Sequence, residues 1–168
     1  MPGTKKTAQI GMVIAVAFVL SYIESMLPLN FGVPGIKAGL ANIVVVFSLY
    51  YFNTVMAGCI SIVRIILCGL AFGGLSGLFY SLAGGILSFI VMAILKKTGK
   101  FSVYGVSIAG GVFHNIGQIL VAMVILQNKM TAYYLPFLMA GGVTAGIIVG
   151  TLAAVLIKRF KGTELFLL

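Results

Sequence analysis

Apolar residues run through this chain in long blocks, not in the alternation of a half-buried strand or the single stripe of a soluble helix. Six blocks read as helices: Ala8–Leu27, Ile36–Tyr51, Thr54–Ala71, Leu75–Leu95, Tyr104–Leu126 and Tyr133–Ile157. Most approach the ~20 residues that a helix needs to cross a hydrocarbon core about 30 Å thick, and the second and third are shorter. Helix breakers separate them. Pro28, Asn30, Gly32, Pro34 and Gly35 follow the first block, Asn53 the second, and Gly73 with Gly74 the third, while Thr98–Gly99–Lys100 and Gln127–Asn128–Lys129 complete the set. The pattern predicts an all-α membrane protein, a six-transmembrane-helix bundle forming a single transmembrane domain over residues 1–168. A barrel is disfavoured, because its strands would alternate polar and apolar positions.

Composition strengthens this reading. Only 8% of the 168 residues are charged, against roughly 25% in soluble domains, and 61% are apolar. Mean hydropathy is +1.21. Nearly the whole length is used by one bundle, which leaves no room for a soluble domain. Lys5 and Lys6 before an apolar run imitate a signal peptide, but the run continues to about Leu29 without a small-x-small cleavage site, so it is expected to stay as the first helix. Cys59 and Cys68 are nine residues apart in one block, on opposite faces of a helix, and are not expected to pair.

The net charge of +9 brings nucleic acid to mind, yet the basic residues stand singly or in small groups at the ends of apolar blocks. They read as topology signals. Lys5, Lys6, Lys96, Lys97, Lys100, Lys158, Arg159 and Lys161 fall on one side, and only Lys37 and Lys129 on the other. Loops rich in Lys and Arg stay in the cytoplasm, so both termini are expected there.

With that orientation the scarce hydrophilic side chains converge on the outer leaflet. Glu24 lies near the outer end of the first helix, Lys37 opens the second, and Asn42 is a turn or so deeper. Arg64, ten residues into the third, is about 15 Å from its cytoplasmic start. His114 has a similar depth, with Asn115 and Gln118 on about one turn of the fifth helix. A polar cluster in hydrocarbon is costly, about 2.5–3.5 kcal/mol for a central Arg on insertion scales, and marks a candidate binding site.

Each group also has a bland reading. Glu24 is the only acid in any block, so it is a candidate structural partner for Arg64. Lys37 sits at a helix start between Gly35 and Gly39, where amide groups and dipole favour an anion, or else snorkels to the headgroups. His114, Asn115 and Gln118 supply donors and acceptors suited to orienting a ligand, although a lone His is often a satisfied core residue. Tyr80, Phe113, Tyr133 and Tyr134 read as an interface belt in preference to pocket walls. One His with two separated Cys lacks chelating spacing, so no metal is expected, and no cofactor motif occurs.

Small residues form stripes. Gly142, Gly146, Gly150 and Ala154 recur every four residues in the sixth block, and Gly77, Ser81, Gly84 and Ser88 make a similar line in the fourth. Both read as close helix packing. Ala8, Gly11 and Ala15 lie roughly opposite Glu24 on the first helix and suggest a face for a second membrane protein.

Absences narrow the chemistry. There is no Asp, hence no aspartate-rich magnesium–diphosphate site of the prenyl transferase kind, and no Gly-x-x-x-x-Gly-Lys-Ser/Thr loop for ATP. No paired carboxylates serve acid–base work. A binder that is not an enzyme, without its own energy source, is the expectation.

The stretch Gly35-Ile36-Lys37-Ala38-Gly39-Leu40-Ala41-Asn42-Ile43, with Ser81-Leu82-Ala83-Gly84-Gly85 and Gly111-Val112-Phe113-His114-Asn115-Ile116-Gly117-Gln118, resembles the Gx transporter family, also labelled heptaprenyl diphosphate synthase component I. The resemblance covers about residues 10–157. Its members resemble the substrate-binding S components of energy-coupling factor (ECF) importers. That implies a six-helix fold in a bacterial cytoplasmic membrane, with an extracytoplasmic pocket capped by the loop between helices one and two. It also implies a transmembrane coupling subunit and two ATPase subunits as partners, docked on a small-residue motif of helix one where Ala8, Gly11 and Ala15 stand. The missing aspartates argue against prenyl transfer by this chain.

The combined expectation is an S component that captures a small polar or anionic solute, vitamin-like or a quinone or isoprenoid precursor. Lys37, Arg64, His114, Asn115 and Gln118 are its ligand candidates, with Asn42 and Glu24 in support. The alternatives are a non-catalytic subunit assisting an isoprenoid or quinone enzyme, and a solitary carrier or channel.

Overall fold

The computed structural model describes residues 2–26 and 39–160, and every regular element in them is helical. Lys37, the end of the first expected span and the first residues of the second lie outside the described residues. The α-helices are α1 (Pro2–Met26), α2 (Asn42–Tyr51), α3 (Thr54–Cys68), α4 (Gly74–Thr98), α5 (Val103–Ile125) and α6 (Leu135–Phe160).

Four stretches are long and apolar enough to cross a membrane: Thr7–Met26, Thr54–Thr98, Val103–Ile125 and Lys129–Phe160. The chain is therefore a multi-pass membrane protein. By length and composition there are four such stretches where six spans were expected, and two places account for the difference. α2 has only ten residues, about 15 Å by helical rise, half of what the hydrocarbon core demands. α3 and α4 join through a π-helical turn, Gly69–Gly73, into one continuous apolar stretch.

α2 is short because it is internal. Ile43, Val44, Val45, Val46 and Leu49 are all buried, so it is apolar on every side and packs between α3 and α6. Its β-branched run is overridden by that burial. Val45, Val46 and Leu49 join Val106 of α5 and Val149 and Ala153 of α6 in the main core. A second cluster joins Ala17 of α1, Val44 of α2 and Ile60 of α3.

The turns follow local chemistry. Asn53 caps α3 by accepting a hydrogen bond from Met56 N–H at 2.8 Å. Gly74, at φ 63° and ψ 173°, occupies backbone space open essentially to glycine alone and reverses the chain into α4. Gly99 closes α4 in the left-handed conformation, with its N–H donating to Lys96 O at 3.1 Å, and Ser102 then caps α5.

The small-residue line of α6 forms its seam with α5. A Cβ on Gly142 would lie 2.8 Å from the Gly111 carbonyl oxygen, and one on Gly146 would lie 2.5 Å from Ile108 Cα. Ser107 Oγ donates to Gly146 O across the same seam at 2.8 Å. The line on α4 is mixed. Gly84 abuts the His114 carbonyl of α5 and Ser88 is buried, whereas a Cβ on Gly77 would meet open space. Ala8, Gly11 and Ala15 are exposed on α1, and nothing lies within 4 Å of a Cβ placed on Gly11.

Candidate functional site

Inside the bundle, α1, α3 and α5 bring their polar positions to a common depth. Ala17, Ser21 and Glu24 follow one another at helical spacing, so the stripe that packs α1 against the bundle ends on a buried carboxylate. Asn42 opens α2 just after the Gly39 turn, where φ is 72°. Arg64 and Cys68 share a face of α3 one turn apart. With Ser81 of α4 and His114 of α5 these residues line a cavity of about 60 Å³.

Among the described residues, Glu24 and Arg64 each make a hydrogen bond in this cavity. Glu24 Oε1 accepts from the Gly39 backbone N–H at 2.5 Å, which ties α1 to the turn before α2. Arg64 Nη2 donates to Asn42 Oδ1 at 3.3 Å. A guanidinium carries five N–H donors, and this is a single, long contact. Arg64 Nε is buried with no hydrogen-bond partner among the described residues, and so is Ser21 Oγ. The Glu24 carboxylate and the Arg64 guanidinium line one cavity without the ion pair that two such charges could form. What results is a cation with spare donors, an acid committed to a backbone amide, and an amide and an imidazole between them. That set can grip a small anionic or carbonyl-bearing group.

The expected ligand residues that are described divide three ways. Glu24, Asn42, Arg64 and His114 meet in this cavity. Asn115 turns to the α5–α6 seam, where its side-chain amide donates to Leu138 O at 2.5 Å. Gln118 lines a different space, a cavity of about 600 Å³ between α4, the end of α5 and the short 3-10 segment Lys129–Tyr134 that leads into α6. Lys37 lies outside the described residues.

The larger cavity was not anticipated. Tyr80, Tyr133 and Tyr134 line it together with Ile119, Met130 and Leu138, and Tyr133 and Tyr134 are also exposed at the surface, as an interface belt requires. Their spacing carried no signal of it, since they come from α4 and from the segment before α6, some fifty residues apart.

The family model described as heptaprenyl diphosphate synthase component I matches residues 13–156. No curated protein and no solved structure matches the chain. The matched region contains every residue of both cavities, and the family is the one that the segments around Lys37 and His114 resemble.

Proposed function

Since the chain belongs to the heptaprenyl diphosphate synthase component I family, we propose from its cavities that it is the solute-binding S component of an ECF-type importer. It would work in a bacterial cytoplasmic membrane with both termini inside, and it would do no chemistry of its own. The observation that carries this reading is Arg64. A guanidinium in the middle of an apolar helix is costly, and here it lines a cavity with one long contact, a buried Nε that has no partner, and no ion pair with a described carboxylate. A purely structural Arg would be expected to have its donors satisfied by protein. A site waiting for an anionic solute has this form.

Two further features support it. The exposed face of Ala8, Gly11 and Ala15 lies on the side of α1 away from the cavity, as a coupling subunit would require. The chain lacks the loop that would hold ATP, so the energy for import would come from separate ATPase subunits.

The family's description favours a second reading, a non-catalytic membrane subunit that assists an isoprenoid or quinone enzyme. One experiment separates them. Small molecules retained by gently purified protein are identified by mass spectrometry and compared with an Arg64→Gln, His114→Gln double variant. An S component retains anionic compounds that the variant loses, and it co-purifies with a coupling subunit. Identical retained compounds, or co-purification with a prenyl transferase and no saturable ligand, would count against import.

A further inference from the structure

The charges around the Arg64 cavity balance without meeting. Among the described residues that line it there is one acid, Glu24, and one permanent cation, Arg64, and no ion pair joins them. Glu24 Oε1 accepts from the Gly39 N–H, and Oε2 makes no hydrogen bond to any described residue. Arg64 Nη2 donates to Asn42 Oδ1, while the buried Nε has no partner among the described residues. A carboxylate oxygen and a guanidinium N–H thus both stay unmet around one cavity. Two neutral groups accompany them. Ser21 Oγ, one turn before Glu24 on α1, is buried and has no partner among the described residues. Asn42 gives its oxygen to Arg64 and keeps its amide nitrogen by the Gly39 turn, where a Cβ on Gly39 would lie 3.3 Å from Nδ2.

This balance decides what kind of ligand fits. A simple anion would pair with Arg64 and leave Glu24 as an excess negative charge beside it, away from bulk water. A simple cation would leave the converse excess at Arg64. A molecule that carries both charges meets both groups and keeps the cavity neutral. Size restricts the ligand further. At about 10–15 Å³ for one ordered water, a cavity of about 60 Å³ has room for about four to six non-hydrogen atoms. It does not continue into the larger space at Gln118, because α4 and α5 close between the two. A Cβ on Gly84 would sit 2.7 Å from the His114 carbonyl oxygen, and one on Gly117 would sit 2.7 Å from the Ala83 carbonyl oxygen.

We infer that the anionic group held by Arg64 belongs to a compact zwitterion of the small amino acid kind: a carboxylate bound by Arg64 and the Asn42 amide, and one or two carbons away a primary ammonium received by Glu24 Oε2 and Ser21 Oγ. The inference rests on the reading of this cavity as the solute site, and it narrows the ligand from any small anion to one that carries its own cation. Each end of the ligand supplies the partner that the protein's own pair of charges lacks. Charge-assisted hydrogen bonds at both ends then join α1 to α3 through the ligand. Glu24 has two separate tasks in this arrangement, since one oxygen holds the Gly39 turn and the other selects the ammonium.

Glycine and β-alanine carry the two charges one and two carbons apart, and acetate and propionate are the matched acids without the ammonium. All four are titrated by calorimetry against the full chain in nanodiscs of neutral lipid. At least one amino acid should bind saturably, and at least tenfold more tightly than its matched acid, the effect of one charged hydrogen bond. Glu24→Gln, which keeps an oxygen for the Gly39 N–H, should abolish that advantage by weakening the amino acid at least tenfold while the acid binds as well as before or better. Arg64→Gln should weaken both compounds. Ser21→Ala should weaken the amino acid about threefold to tenfold and spare the acid, and it keeps the ammonium site testable if Glu24→Gln fails to fold. No saturable binding of either amino acid, a matched acid bound as tightly as its amino acid, or full affinity for the amino acid in folded Glu24→Gln would each overturn the inference. Two outcomes separate it from the importer reading. Arg64-dependent binding of acids and amino acids alike removes only the zwitterion, whereas Glu24-dependent binding of an amino acid without co-purification of a coupling subunit removes only import.

Discussion

Glu24 and Arg64 share a cavity without pairing: the carboxylate accepts from the Gly39 N–H at 2.5 Å, and the guanidinium donates to Asn42 Oδ1 at 3.3 Å. The acid is thereby a structural tie between α1 and the start of α2, and the cation is left with capacity for something else. This division makes opposite predictions for the two residues.

Removing the carboxylate should cost stability. Glu24→Ala leaves the Gly39 N–H without its acceptor and is expected to destabilise the protein by roughly 1–3 kcal/mol. Glu24→Gln keeps a carbonyl oxygen in place and should recover most of that loss. Thermal unfolding in detergent measures both, and equal stability of Glu24→Ala and wild type would show that the contact is dispensable.

Removing the cation should cost binding and spare the fold. Arg64→Gln takes a charge out of an apolar helix, where insertion scales price a central Arg at about 2.5–3.5 kcal/mol, so its stability should equal or exceed that of wild type. Retention of anionic compounds should drop at least tenfold, as expected for the loss of a charged hydrogen bond. A folded variant with undiminished retention would make Arg64 a structural residue.

Asn115 and Gln118 provide a matched pair on one helix. Asn115→Leu breaks the bond to Leu138 O and should lower stability by about 0.6–2 kcal/mol with ligand retention unchanged. Gln118→Leu removes an amide that no described residue satisfies, so it should leave stability unchanged or raised. Stability assays in parallel decide whether the two amides have the separate roles their positions assign.

That contrast also shows what could be read from the chain. The presence of a polar cluster in apolar helices was legible, because each ionisable residue in hydrocarbon is conspicuous by its cost, and Glu24, Asn42, Arg64 and His114 do meet. The glycine line of α6 was legible because close approach needs a small residue every turn. The split between His114 and Gln118 was not. Four residues on a helix differ by only about 40° in direction, and what separates them is the crossing of α4 at Gly84, a tertiary fact with no local signature. Asn115, about 100° from His114, was grouped with it by adjacency although that rotation points it at α6. The length of α2 was equally hidden, since an apolar block looks the same whether protein or lipid surrounds it. Tyr80, Tyr133 and Tyr134 come together only through the placement of the segment before α6.

The α5–α6 seam should be intolerant of added volume. A Cβ at Gly142 would lie 2.8 Å from the Gly111 carbonyl oxygen, and backbone on both sides leaves no flexible side chain to yield. Gly142→Ala is expected to destabilise by about 1–3 kcal/mol, whereas Gly77→Ala, with open space around its Cβ, should be neutral or slightly stabilising. Comparing their unfolding temperatures tests whether the two glycine lines differ as the packing does.

The outward face of α1 allows a sharper separation of folding from association. Ala8, Gly11 and Ala15 are exposed, and nothing approaches within 4 Å of a Cβ on Gly11, so leucines at positions 11 and 15 meet only the surroundings of the bundle. Gly11→Leu with Ala15→Leu should therefore fold normally, retain the same small molecules as wild type, and gain helix propensity at position 11. If this face receives a second membrane protein by close backbone approach, two leucines hold the helices apart and remove the contacts that drive association in lipid. Co-purification of a coupling subunit should then fall to background while ligand retention stays intact, an outcome that neither a folding defect nor a damaged cavity produces. Intact co-purification would assign docking to another surface and leave the small residues of α1 without a partner role.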